Sequence, residues 1–243
     1  MTQLPPPQQT SLFERLLTVV FGQVGTDLLE NLSQASQRLN DFVYVRVSGL
    51  SFIVLGARQT GKTTLIEWMR QNVRQLANFT PEPTAPGGER VGVFNTQIGS
   101  ETMRVKPGRD VGGEYEMWET DWTDLFRTAR PRGIVFLLDH NDVLTHKDAL
   151  NFVLNLIEEE PDARRNLRAF TILVNKSDVW SRTTTLEKLM NTYSNEIKRL
   201  NQQAARLGYR TQIHSTSITE GLGVGHALES FFDTIRPQPK GSV

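Results

Sequence analysis

The sequence predicts an α/β protein, a sheet with helices on both faces. Three observations predict it. From Phe42 onward, short apolar β-rich runs alternate with amphipathic helical stretches. A glycine-containing octapeptide, Gly56-Ala57-Arg58-Gln59-Thr60-Gly61-Lys62-Thr63, lies between one such run and one such stretch. The chain has 243 residues, 38 % hydrophobic and 22 % charged, which is enough for a full core, long for one domain and short for two.

Residues 1–10, with Pro5, Pro6 and Pro7, are expected to be a disordered lead. Residues 11–48 are expected to form a helical extension and a connecting strand. Phe13, Leu16, Leu17, Val20, Phe21, Val24, Leu28, Leu32, Ala35 and Leu39 repeat at three-four spacing, giving one helix or two broken near Gly22 or Gly25. Such a stripe needs an apolar partner: its own domain, another protein or a membrane surface. Its charges, Glu14, Arg15, Asp27 and Glu30, do not favour lipid. Phe42–Val47 is β-rich, Ser48-Gly49 makes a turn, and Ser51–Leu55 is a buried strand. A helix follows from Lys62 to about Ala77. Pro81, Pro83, Pro86, Gly87 and Gly88 mark a loop, and strands near Val91–Phe94 and Met103–Lys106 form a hairpin. Strands at Gly133–Leu138 and Thr171–Val174 flank a helix at Asp148–Glu159. A long amphipathic helix spans Thr185–Leu207, the last strand is Thr211–His214, and the last helix is His226–Ile235. The main domain is placed at 49–237, with a tail at 238–243.

The 27 basic residues balance 27 acidic ones, so bulk charge draws the chain neither to nucleic acid nor to anionic lipid. The absence of cysteine excludes disulfides, thiolate metal sites and thioester or thioether lipid anchors. No apolar run reaches bilayer length, and Met1–Gln9 has no targeting pattern. A cytoplasmic location is expected, with peripheral attachment to a membrane left open.

The chemistry begins at the octapeptide. Gly56 and Gly61 let the backbone bend so that several N–H groups, including those around Gln59 and Thr60, face one phosphate; the helix start adds its positive end. Lys62 would reach the β- and γ-phosphates, the Thr63 hydroxyl would bind magnesium, and Thr64 would complete the cradle. Further on, Asn175-Lys176-Ser177-Asp178 follows an apolar strand. The Asp178 carboxylate can accept from the N1–H and 2-amino groups of guanine, which adenine does not present together. Asn175 would tie neighbouring loops and the base, and the Lys176 stem would lie along the ring. Between them, Asp110-Val111-Gly112-Gly113-Glu114 can hold a magnesium-bound water through Asp110 and sense the γ-phosphate through the Gly113 N–H.

These motifs, with Gly133-Ile-Val-Phe-Leu-Leu-Asp-His-Asn-Asp142, resemble the ADP-ribosylation factor branch of the Ras superfamily and the related signal-recognition-particle receptor β subunits. The resemblance covers Ser51 to Ile235. It implies a small GTPase fold, namely a P-loop domain with a mixed six-stranded sheet and one antiparallel hairpin, together with GTP or GDP and magnesium as ligands and two switch segments. Thr216-Ser217-Ile218 falls where the family touches the guanine oxygen by backbone N–H. Thr84, in preference to Thr80, falls where a switch threonine closes over magnesium. Three positions depart from the family. Glu114 replaces a glutamine that orients the attacking water, and an ionised carboxylate cannot donate, so hydrolysis should be slow. Arg58 replaces a glycine; it would shield the γ-phosphate, pair with Glu114, obstruct an activating partner or stand in solvent. Thr2 replaces the glycine that is myristoylated in relatives, which removes that anchor.

Trp118 and Trp122 are either core or, if exposed in one nucleotide state, an effector surface. The histidines, His140, His146, His214 and His226, are expected at the surface or in loops. The charge run Glu158-Glu159-Glu160 near Arg164 and Arg165 is expected to be a solvated face. A slow GTP-hydrolysing switch is preferred to a GTP-binding scaffold. A third alternative, an ATPase using Asp139, is opposed by the Asn175 motif. The expected partner is a protein effector or regulator at the switch loops and the N-terminal helix, with oligomeric state left open.

Overall fold

A computed structural model describes residues 49–237, apart from 73–75 and 77–78. The predicted lead, helical extension, connecting strand and tail lie outside the described residues. Strands β1 (Leu50–Gly56), β3 (Phe94–Ile98), β4 (Glu101–Lys106), β6 (Gly133–Leu138), β7 (Ala169–Val174) and β8 (Arg210–Ser215) form one sheet in the order β3-β4-β1-β6-β7-β8. Every neighbouring pair is parallel except the β3–β4 hairpin, so the sheet is mixed as expected. A short ribbon, β2 (Glu89–Arg90) against β5 (Arg109–Asp110), stands beside it. The helices are α1 (Lys62–Gln71), α2 (Thr123–Ala129), α3 (Val143–Glu159), α4 (Pro161–Arg164), α5 (Ser177–Trp180), α6 (Leu186–Asn191), α7 (Ser194–Leu207) and α8 (Val224–Ile235).

Alternation along β1 explains why its sequence is apolar throughout: successive side chains enter opposite cores. Phe52 and Val54 join Val135 and Leu137 under Leu65 and Met69 of α1 and Phe231 and Phe232 of α8. Ile53 and Leu55 join Ile134 and Phe136 under Trp122, Leu150, Val153 and Leu200. With both faces covered, the polar loops collect beyond the carboxyl ends of β1, β6, β7 and β8, where an open α/β sheet places its ligands.

Several predicted boundaries move. Helix α1 stops at Gln71, short of Ala77, because Asn72 turns left-handed at φ 53°. Its side chain accepts from the Gln97 N–H at 2.6 Å and donates to the Asn95 carbonyl at 3.4 Å. Asn72 thereby binds the outer edge of β3, which runs onward from Phe94 instead of ending there. Helix α3 starts earlier than predicted because the Asp142 side chain caps it, accepting from the Thr145 N–H at 3.3 Å. The helix predicted for 185–207 is two helices, with the fully buried Tyr193 at the break. The acidic run is not a free solvated face: Glu158 accepts from Gln203 at 2.7 Å and pairs with Arg206, joining α3 to α7, while Glu160 pairs with Arg127 at 2.5 Å.

Candidate nucleotide and magnesium site

Between β1 and α1 the chain makes a tight cradle. Gly61 adopts φ 102°, and a Cβ there would lie 2.5 Å from Asn175 Nδ2, so the position demands glycine twice over. The fully buried Thr60 donates its hydroxyl to the Ala57 carbonyl at 2.9 Å, while Gln59 takes φ 61°. Lys62 is buried, and Nζ donates to the Gly56 and Ala57 carbonyls, each at 3.0 Å. Burial pushes its amino group down to about 8, against the upward pull of the Asp110 and Glu114 carboxylates.

Asp110, at the end of β5, stands beside the Thr63 and Thr84 hydroxyls, whose polar interaction favours its charged form. Burial raises its carboxyl above the usual range, opposed by those hydroxyls and by Lys62. Its Oδ1 is buried and has no hydrogen-bond partner among the described residues. An acidic oxygen in that condition, beside two hydroxyls, suits a hard divalent cation or its water.

The loop of residues 110–114 lies directly on the cradle. A Cβ at Gly113 would stand 2.4 Å from the Ala57 carbonyl carbon and 2.5 Å from Arg58 N, so only glycine permits this contact. The loop is also held from behind, because Trp122 Nε1 donates to the Gly112 carbonyl at 2.8 Å and Trp118 Nε1 to the Gly113 carbonyl at 3.1 Å. The two rings stack at 5.2 Å in a π-helical segment, Trp118–Trp122, that follows a 3₁₀ turn at Tyr115–Met117. Both are buried and therefore core; the exposed aromatic of this segment is Tyr115, at 68 %. Arg58 pairs with Glu114 at 3.4 Å.

The second loop closes the other side. Asn175 Nδ2 donates to the Thr60 carbonyl at 2.9 Å, and its Oδ1 accepts from the Ile218 N–H at 3.1 Å. Trp180 Nε1 donates to the Asn175 carbonyl at 2.8 Å. Asp178 accepts from the Ser217 hydroxyl at 2.5 Å. The backbone N–H groups of Thr216, Ser217 and Ile218 bond to Val174 O, Leu222 O and Asn175 Oδ1. The next residue, Thr219, lines the cavity and was not among the residues predicted from sequence. A cavity of about 450 Å³ borders on Lys62, Thr63, Thr84, Gly113, Asn175 and Lys176, so the cradle, the Gly112-Gly113 loop and the Asn175 loop face one space. Thr80 lines it as well, but it is Thr84 that interacts with the Asp110 carboxyl.

The sequence model of the ADP-ribosylation factor family matches residues 40–235. The chain belongs to that family. It is thus an Arf-like small GTPase by fold and by family, a nucleotide-binding switch in general design. Its fold is similar to the Arl6 BBS3 small GTPase of Trypanosoma brucei with the bound nucleotide analogue GppNp: 20 % identity, 77 % of this chain and 97 % of that chain covered, TM-score 0.54. No curated protein matches the chain at a significant level. No helix among the described residues of this Arf-family chain is long and apolar enough to cross a membrane.

One sequence expectation is corrected by burial. His146 is neither a surface nor a loop residue; it lies on α3, 2 % exposed, with its ring nitrogen 3.1 Å from Asp139 Oδ1. Nothing in a single histidine within an apolar stretch marks such a contact, which requires β6 and α3 to be in place.

Proposed function

We propose that this chain binds GTP and GDP with magnesium and acts as a switch that hydrolyses GTP slowly. The observation that carries the proposal is the single cavity shared by the phosphate cradle and the Asn175 loop, joined by the Asn175–Thr60 bond. Lys62 and the N–H groups from Gln59 to Thr64 hold the phosphates. Asp178 reads the guanine edge, its geometry set by Ser217, and Thr219 extends the turn at Thr216–Ile218 toward the base. Thr63, Thr84 and Asp110 would hold magnesium, which would supply positive charge to offset that of the phosphates. Gly113 senses the γ-phosphate, and loss of that contact frees the segment after it, where the exposed Tyr115 offers an effector or regulator an aromatic foothold.

The test is Asp178→Asn. An amide presents a donor to the extra carbonyl of xanthine, so preference is expected to move from guanine to xanthine nucleotides; unchanged GTP affinity would rule out the base-reading role.

The Arg58–Glu114 pair supports a second reading, a GTP-binding scaffold with negligible turnover, because it ties up the residue beside the sensor glycine. Single-turnover hydrolysis separates the two: Glu114→Gln is expected to hydrolyse GTP faster than wild type, whereas a background rate in both proteins selects the scaffold.

A further inference from the structure

Beneath the base loop, Lys176 meets a buried ionisable pair, Asp139 and His146, that none of the roles above employs. Asp139, at the end of β6, is 2 % exposed and does not line the nucleotide cavity. Its Oδ2 accepts from Lys176 Nζ at 2.5 Å. Its Oδ1 accepts from the Asn141 N–H at 2.8 Å and from the His146 Nε2–H at 3.1 Å. Burial alone would raise this carboxyl; the bonds from His146, Lys176 and Asn141 instead hold it at about 2. His146 Nδ1 has no partner among the described residues, so the one polar contact of a buried imidazole is Asp139. A polar ring in an apolar helix–sheet contact is costly unless its bond is needed.

Lys176 explains the need. Its backbone stands at φ 61°, unusual for a side-chain-bearing residue, between Asn175, which ties the loops, and Asp178, which reads the base. A free lysine stem has many rotamers, and ordering it costs entropy each time a ligand binds. Pinning Nζ to a carboxylate that is itself fixed by two other donors directs the stem before the ligand arrives.

On the reading of this cavity as a guanine-nucleotide site, we propose that Asp139 and His146 are positioning residues for Lys176, presetting its stem over the purine and so determining how slowly nucleotide leaves. Neither touches the ligand; His146 acts on Asp139, and Asp139 on Lys176.

The experiment measures release of a fluorescent GDP analogue from the full chain. His146→Ala and Asp139→Asn are each expected to speed release about tenfold, the effect of one buried hydrogen bond to a charged group. His146→Gln, which keeps a donor near the position of Nε2, should restore slow release. In a Lys176→Met background, His146→Ala should add less than about a twofold change, because coupled residues are non-additive. A merely structural histidine would give additive losses and no rescue by glutamine, and either result overturns the proposal. Wild-type release rates in His146→Ala and Asp139→Asn also overturn it while leaving the guanine reading intact. Failure of the wild-type chain to retain guanine nucleotide removes both.

Discussion

Asn175→Ala tests the joint between the two halves of the site. The amide of Asn175 is 5 % exposed and makes two bonds, to the Thr60 carbonyl at 2.9 Å and from the Ile218 N–H at 3.1 Å. Truncation to alanine leaves both backbone groups buried without partners, at about 1–2 kcal/mol each, for a total of about 2–4 kcal/mol. In a domain of this size that lowers Tm by roughly 4–16 °C. The Trp180 bond to the residue 175 carbonyl survives, so the loop is loosened and not dismantled. Two assays check this: thermal unfolding of the nucleotide-free protein, and the rate at which bound nucleotide dissociates. The variant should melt lower and release faster. A melting temperature within about 1 °C of wild type would show that water replaces both bonds at no net cost and would refute the reasoning.

Trp122→Phe removes the donor to the Gly112 carbonyl and should cost about 1–3 kcal/mol in urea unfolding; a difference below about 0.5 kcal/mol would show the bond to be dispensable. Lys62 gives a pH signature. Its folded pKa, about 8, lies below the ordinary lysine value of 10.5, so between those values the unfolded chain binds more protons and stability rises with pH. Thermal melts of nucleotide-free wild type should therefore gain on Lys62→Met from pH 8 to 10, by on the order of 3 kcal/mol at most; parallel curves would contradict a buried, neutralisable amine.

The fold was largely legible because the central strands are buried on both faces and therefore appear as unbroken apolar runs; Gly133–Leu138 matched to the residue. The cradle was legible because its glycines and lysine are contiguous. What escaped were features set by contacts distant in sequence. Asn72 ends α1 by bonding strand β3, and a mid-helix asparagine carries no sign of that. His146 finds Asp139 only when α3 packs against β6. The π-helical segment was invisible because tryptophans four apart suit an α-helix equally well. Thr219 escaped because the N–H groups of the three residues before it are bonded within the protein, which the local motif does not show.

The paired indoles behind Gly112 and Gly113 bear on how this loop can move. Each ring is wedged among buried side chains, with Phe152 of α3 touching both at about 6 Å, so a carbonyl cannot be let go by a small slide. Departure of the loop from the cradle has to break two indole contacts, one to each glycine carbonyl. Packed interiors of this kind favour two discrete arrangements over a continuum, and a partner reading this segment would meet a binary signal, not a graded one.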